Sequence, residues 1–183
     1  TMKLQGPKGT RDFYPDEMAR RRYLHDAWRR VSIRPGFAEA EGLEAHATMI
    51  ANMRWAAEAA PKGITLMLEP LNPVAMPGYF LNDYDLAADI LAEIGAENVA
   101  LQYDSYHAQM IHADALAVFE KFRPLIKHIQ IGDTPDRGPP GSGDVDFPAL
   151  FKAIKKSKYK GWISGEYKPN GPTEATLDWM KLA

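Results

Sequence analysis

From Ile64 onward the chain alternates short apolar runs with amphipathic stretches of helical length, and four of the runs end on polar residues: ITLMLEPLN, VALQYDSYH, IKHIQIGD and GWISGEYKP. This alternation restricts the fold more than any other feature. Parallel strands can be joined only by a crossover, and a helix-length connector between strand-length runs supplies one. Strands are predicted over 64–71, 99–104, 126–131 and 162–167, all apolar enough to be covered on both faces. Helices are predicted between them. Asp83 or Asp85 caps LAADILAEIG, Asp114 stands near the start of ALAVFEKF, Asp146 precedes FPALFKAIKKS and Thr173 opens EATLDWMKL, while Gly95 suits a helix C-terminus. A further amphipathic helix, over 43–60, carries Met49, Ile50, Met53, Trp55 and Ala56; Pro61 and Gly63 break it, and it is expected to dock on the sheet.

The fold class expected from this pattern is α/β: a partial, half TIM barrel of four parallel βα units preceded by N-terminal helices. Barrels of this kind need about 250 residues, and the chain has 183. A composition shift near 35–42 separates an Arg-rich opening with no comparable strand from the repeat. Two segments are therefore predicted, 1–41 as a helical segment and 42–183 as the half-barrel. Four strands alone would leave two open edges and an apolar inner face, a drive toward self-association, and a homo-oligomer is expected.

A formal net charge of -2 gives no overall pull toward nucleic acid or membrane. RRRYLHDAWRR is basic, but Asp12, Asp16, Glu17 and Asp26 dilute it, and it is read as a solvated helix face rather than an RNA-binding one. No run approaches the roughly 18 apolar residues that span a bilayer, and the opening TMKLQGPKGTRDFYP has no signal-type apolar core. The absence of cysteine removes disulfides and thiolate ligands from consideration. A cytoplasmic location without membrane contact is the expectation.

The strand ends would deliver Glu69, Asp104, Gln130 and Glu166 to one rim, the catalytic side of a parallel barrel. Such an oxygen-rich set suits a hard divalent cation, Mg²⁺ or Mn²⁺, better than a structural zinc. Each residue taken singly has a plainer reading. A glutamate at a strand end can be a solvated rim residue, Asp104 can cap the helix after its strand, and Gln130 needs only some polar partner when buried. His107, three residues after Asp104, is close enough to bond a substrate oxygen, whereas His128 is read as a packed core or rim residue. Arg137 lies in a Pro/Gly-rich loop, GDTPDRGPPGSGDVDF, where its planar fork suits a carboxylate, and Lys168 can assist.

From about Glu44 to the C-terminus the chain resembles the hydroxypyruvate isomerases and their relatives among the xylose-isomerase-like sugar isomerases and epimerases. The resemblance runs through LEPLN, PGYFLN, LQYDSYHAQ, HIQIGD with PDR, and GEYKP with T and LDW. It implies a TIM barrel whose divalent metal is held by Glu69, Asp104, Gln130 and Glu166. Glu69 and Glu166 would also be the acid–base pair, and His107 and Arg137 would contact substrate. The opening KGTRDFYPDEMARRRYLHDAWRRV instead resembles the start of histidyl-tRNA synthetase. The residues that bind ATP, histidine and tRNA in that enzyme have no counterpart here, so synthetase activity is not expected and the chain reads as a chimera.

Three functions compete on these grounds. One is a metal-dependent isomerase of a small hydroxy-carbonyl acid, interconverting hydroxypyruvate and tartronate semialdehyde through an enediolate. Another is a catalytically silent half-barrel that self-associates as a structural module. The third, cleavage at abasic DNA sites, resembles this fold but calls for a trinuclear zinc cluster with more histidines than this stretch offers.

Overall fold

The computed structural model describes residues 43–182. The expected N-terminal helices and the 1–41 segment lie outside them. Four strands, β1 (Leu66–Leu68), β2 (Val99–Asp104), β3 (Ile126–Ile131) and β4 (Trp162–Gly165), form one parallel sheet in the order β1-β2-β3-β4. The helices are α1 (Leu43–Ala59), α2 (Tyr84–Ile94), α3 (Ser105–His112), α4 (Ala115–Phe122) and α5 (Phe147–Lys156). This is the expected four-strand α/β arrangement of an unclosed TIM-like barrel.

Local chemistry sets the helix boundaries. The Asp83 carboxylate accepts the amides of Asp85 and Leu86, Asp114 accepts Ala117, and Asp146 accepts Ala149, so each of these three helix starts has one or two of its free N–H groups satisfied by an aspartate cap. Gly95 ends α2 at φ 68, a left-handed conformation that glycine adopts without steric cost, and its N–H bonds the Leu91 carbonyl. Two expectations are corrected here. The strands cover only Leu66–Leu68 and Trp162–Gly165 of the longer predicted runs; Pro70, which has no N–H to donate, ends the first soon after Leu68. The C-terminal stretch forms two 3-10 turns, Thr173–Thr176 and Asp178–Lys181, rather than one α-helix.

The core lies between the sheet and its helices. Leu101, Tyr103, Ile129 and Ile131 point outward from the strands and are fully buried against Tyr84, Ile90, Phe119, Leu150 and Phe151. Tyr103 meets Phe119 edge-on at 5.7 Å, and Phe151 stacks on Trp179 at 6.1 Å, which anchors the C-terminal turns. Helix α1 packs chiefly on α2 rather than on the sheet, joined there by Ile50 and by bonds from Arg54 to the Glu93 and Ile94 carbonyls.

The opposite, inner face is not the apolar surface expected. It carries Gln102, His128, Gln130 and Ser164, which bond one another across the strands. A register shift between β2 and β3 explains the pattern. Leu101 pairs with Ile126 and Gln102 with His128, so Lys127 is skipped. This bulge keeps Ile126, Ile129 and Ile131 on the helix side while His128 and Gln130 turn inward.

Candidate functional site

The strand ends and the loops after them enclose a cavity of about 880 Å³ lined in part by Glu69, His107, Arg137, Glu166 and Lys168. Its floor is polar; Leu71, Val74 and Met76 from the segment after β1 form an apolar wall.

Glu69 follows β1 directly. One carboxylate oxygen accepts the Gln102 side-chain amide at 2.6 Å, and the other, Oε1, is buried without a partner among the described residues. Burial, reinforced by the charges of Asp104 and Glu166, pushes the Glu69 carboxyl up to about 7, against the pull of Arg137 and Gln102. Asp104 ends β2 and is fully buried. Its Oδ1 accepts the Tyr106 amide, so it does cap α3, while Oδ2 meets Arg137 Nη2 at 2.7 Å. The capping and site roles are thus compatible in one carboxylate. Burial raises Asp104 to about 6, with Arg137 and the amides of Tyr106 and His107 opposing.

Arg137 organises the rim. Its Nη2 bridges Asp104 and Glu166 Oε2, the latter at 3.1 Å, its Nε donates to the Glu166 carbonyl, and its guanidinium lies over the Tyr106 ring. His107 is almost wholly buried, and its Nε2 is 3.3 Å from Arg137 Nη1. Burial first, then Arg137, lowers the imidazole to about 4, so the ring is neutral near pH 7. Gln130 touches the site through Gln102, whose side-chain amide donates to both Glu69 and Gln130 Oε1. Lys168 lines the cavity with an exposed side chain, and its backbone N–H donates to the Arg137 carbonyl at 2.7 Å. His128 stands lower on the inner face, paired with Ser164 at 3.0 Å.

Glu69, Asp104 and His107 present ligand atoms within 4.8 Å of one another. Clustered carboxylates with an unpartnered buried oxygen, raised in pKa by burial first and by neighbouring acids second, are what a divalent cation would relieve, and their oxygens are hard donors. The residues present therefore fit a cation. Gln130 and Glu166 flank this group rather than belonging to it.

Three further residues shape the site and are absent from the sequence-derived set. Asn72, fully buried, meets His107 Nδ1 with both its backbone nitrogen at 3.0 Å and its side-chain amide nitrogen at 2.9 Å. Gln102 links Glu69 to Gln130. Asp133, also fully buried, accepts four backbone amides: Thr134 and Val145 on Oδ1, Gly141 and Gly143 on Oδ2. These bonds fold the long loop back on itself and hold Arg137 at φ 56. A Cβ on Gly143 would overlap the Thr134 carbonyl oxygen, so that glycine is required by close backbone approach. The available signals were the Asn closing LEPLN and the Asp directly after IQIG; an asparagine or aspartate at a strand-to-loop junction commonly organises the loop.

A profile of the xylose isomerase-like TIM barrel family matches residues 11–183. The chain belongs to that family. Among its relatives are the hydroxypyruvate isomerase of Escherichia coli (strain K12), 40% identical over 136 residues that make up 74% of this chain and 53% of that protein. The 2-oxo-tetronate isomerase of Cupriavidus necator is 39% identical over 145 residues, 79% of this chain and 56% of its own. The chain thus spans about half the length of these curated relatives. A solved structure described as AP endonuclease, family 2, from Brucella melitensis superposes with a TM-score of 0.74 at 33% identity, covering 96% of this chain and 72% of that one. The family match reaches back to residue 11, well into the opening that resembles histidyl-tRNA synthetase, and these comparisons lend the chimera no support.

Proposed function

We propose that this chain carries the acid–base side of a metal-dependent isomerase acting on a small hydroxy-carbonyl acid, most simply one interconverting hydroxypyruvate and tartronate semialdehyde. The observation that carries the reading is one cavity lined by two carboxyls, Glu69 and Glu166, with the Arg137 guanidinium paired to Glu166 and Glu69 raised to about 7. A carboxyl titrating near neutral pH can both take and return a proton, as an enediolate route requires. One of the pair removes a proton from C3 of hydroxypyruvate, the C2 carbonyl takes up the charge, and a proton is delivered to C2. The hydroxyl proton on O3 passes to O2, which balances the exchange. Arg137, and Lys168 at the mouth, suit the substrate carboxylate, and His107 suits a substrate oxygen. Glu69 and Asp104, with Gln130 and Glu166 beside them, would hold Mg²⁺ or Mn²⁺. Such a cation supplies electrostatic stabilisation of developing negative charge.

The names of the relatives support this substrate class: one is a hydroxypyruvate isomerase and another a 2-oxo-tetronate isomerase. A DNA-cleaving zinc cluster finds less support, since His107 is the sole histidine of the candidate cation group. In this reading the enzyme works in the cytoplasm on a small molecule, with no nucleic-acid partner; no helix among the described residues is long and apolar enough to cross a membrane. The deciding experiment is turnover of hydroxypyruvate followed by NMR in D₂O with Mn²⁺ or Mg²⁺ supplied. Glu166→Gln is expected to abolish turnover while leaving the circular-dichroism spectrum intact; unchanged turnover refutes the assignment.

A self-associating, catalytically silent module is the second reading. Its support is the pair of outer strands, β1 and β4, each hydrogen-bonded on one edge only among the described residues, with Trp162 82% exposed on β4. Light scattering at high concentration tests it, and a stable monomer refutes it.

A further inference from the structure

His107 has two ring nitrogens, and its neighbours decide which one carries the proton. Two N–H groups of Asn72 converge on Nδ1: the backbone amide at 3.0 Å and the side-chain nitrogen at 2.9 Å. The backbone donor cannot be reversed. Nor is the side chain free to turn its oxygen toward the ring, because Asn72 Oδ1 accepts the Ala75 amide at 2.9 Å. A proton on Nδ1 would therefore face two donors inside a closed environment, where an unmet donor is costly. On the other side of the ring only Arg137 Nη1 approaches, at 3.3 Å, and an arginine nitrogen is a donor without accepting capacity. One opposed donor is the lesser conflict, and His107 lines the cavity, where a bound oxygen can accept from Nε2.

We infer that Asn72 is a positioning residue that fixes His107 in its Nε2–H tautomer, so that the imidazole offers the cavity a hydrogen-bond donor and keeps its one lone pair turned away from any cation. His107 thus leaves the candidate ligand group even though its atoms lie within reach of Glu69 and Asp104. Its Nε2–H and the Arg137 Nη1–H form a pair of donors that a single oxyanion satisfies. The role of that pair in binding the substrate oxygen rests on the isomerase reading; the tautomer does not.

The test is a long-range proton–nitrogen NMR correlation on the full chain labelled with ¹⁵N-histidine, at pH 7.5. The His107 signals are assigned by their loss in His107→Gln. An unprotonated Nδ1 and a protonated Nε2 are expected, unchanged when Zn²⁺ is added. The reverse tautomer, an averaged pair of signals, or loss of the Nε2 proton on adding Zn²⁺ overturns the assignment. Asn72→Asp turns the side-chain donor at Nδ1 into a carboxylate acceptor whose charge outweighs the backbone donor that remains, and is expected to draw a proton to Nδ1 and to lower kcat/KM for hydroxypyruvate by at least tenfold; an unchanged tautomer in that variant counts against the Asn72 side chain as the determinant. If the aspartate variant does not fold, the wild-type spectrum still decides. A wild-type chain that shows Nε2–H but turns over no hydroxypyruvate refutes the isomerase reading and leaves the tautomer standing.

Discussion

Replacing Asp133 with Asn should destabilise the protein far more than its conservative chemistry suggests. The carboxylate accepts four backbone amides, two on each oxygen, at 2.8 to 3.1 Å, and it is fully buried. An asparagine can keep one oxygen. Whichever way its amide turns, its NH₂ group then faces two N–H donors, either Thr134 and Val145 or Gly141 and Gly143. A hydrogen bond to a charged group contributes about 1.5 to 3 kcal/mol, so losing two costs roughly 3 to 6 kcal/mol. The lower end is the better expectation, because the variant no longer has to bury a charge. With a urea m-value of about 1 to 3 kcal/mol/M, a loss of about 3 kcal/mol lowers the unfolding midpoint by roughly 1 to 3 M. Urea unfolding monitored by fluorescence measures this directly, and hydrogen exchange at Gly141 and Gly143 localises it. A loss below about 1 kcal/mol would refute the view that this carboxylate holds the Arg137 loop together.

Two other perturbations probe the charges. Glu69 and Asp104 titrate near 7 and 6, so a cation must displace protons to bind them, and its affinity should rise as pH increases from about 5.5 to 7.5 and level off above 8. Calorimetry in two buffers of different ionisation enthalpy checks the proton release, and a pH-independent affinity refutes it. Without a cation these two carboxyls hold more protons in the folded than in the unfolded state across the same window, so their contribution to stability should fall as pH rises through it. Arg137→Ala leaves the Asp104 carboxylate buried without its countercharge, a loss of about 3 kcal/mol at pH 8 that should shrink below pH 6 as Asp104 takes up a proton. Arg137→Lys should recover part of that stability but not substrate affinity, since an ammonium cannot bridge Asp104 and Glu166 as the fork does; equal KM values for the lysine variant and the wild type would refute the bridging role.

The α/β order and the strand positions were legible because apolar runs and aspartate caps are local signals. Asp83, Asp114 and Asp146 each satisfy amides within three residues of themselves. The inner face was misjudged for a physical reason. Within IKHIQI the bulge at Lys127 breaks strict alternation, so inward and outward positions cannot be counted from the sequence alone. Gln102 was hidden in the same way: its importance lies in reaching Glu69 and Gln130 on the strands to either side. Asn72 acts on a histidine 35 residues away, and such pairings appear only once the strands are set side by side. The C-terminal aromatic anchor was equally nonlocal, since Trp179 gains its place by stacking on Phe151 and donating to Tyr167.

The sheet's order matches the order of the chain, and this bears on how the protein is made. Each of β2, β3 and β4 pairs with the strand synthesised just before it, as Val99 with Leu66, Ile126 with Leu101 and Trp162 with His128. Closing each pair spans a loop of only about 25 to 35 residues, filled largely by the helix that will cover it, so the entropic cost of closure is met in small steps. As a polypeptide leaves the ribosome, β1 and β2 can pair before β3 has emerged, and among the described residues each later strand finds its partner already made. Assembly can therefore keep pace with translation, and each new βα unit adds to a template already in place.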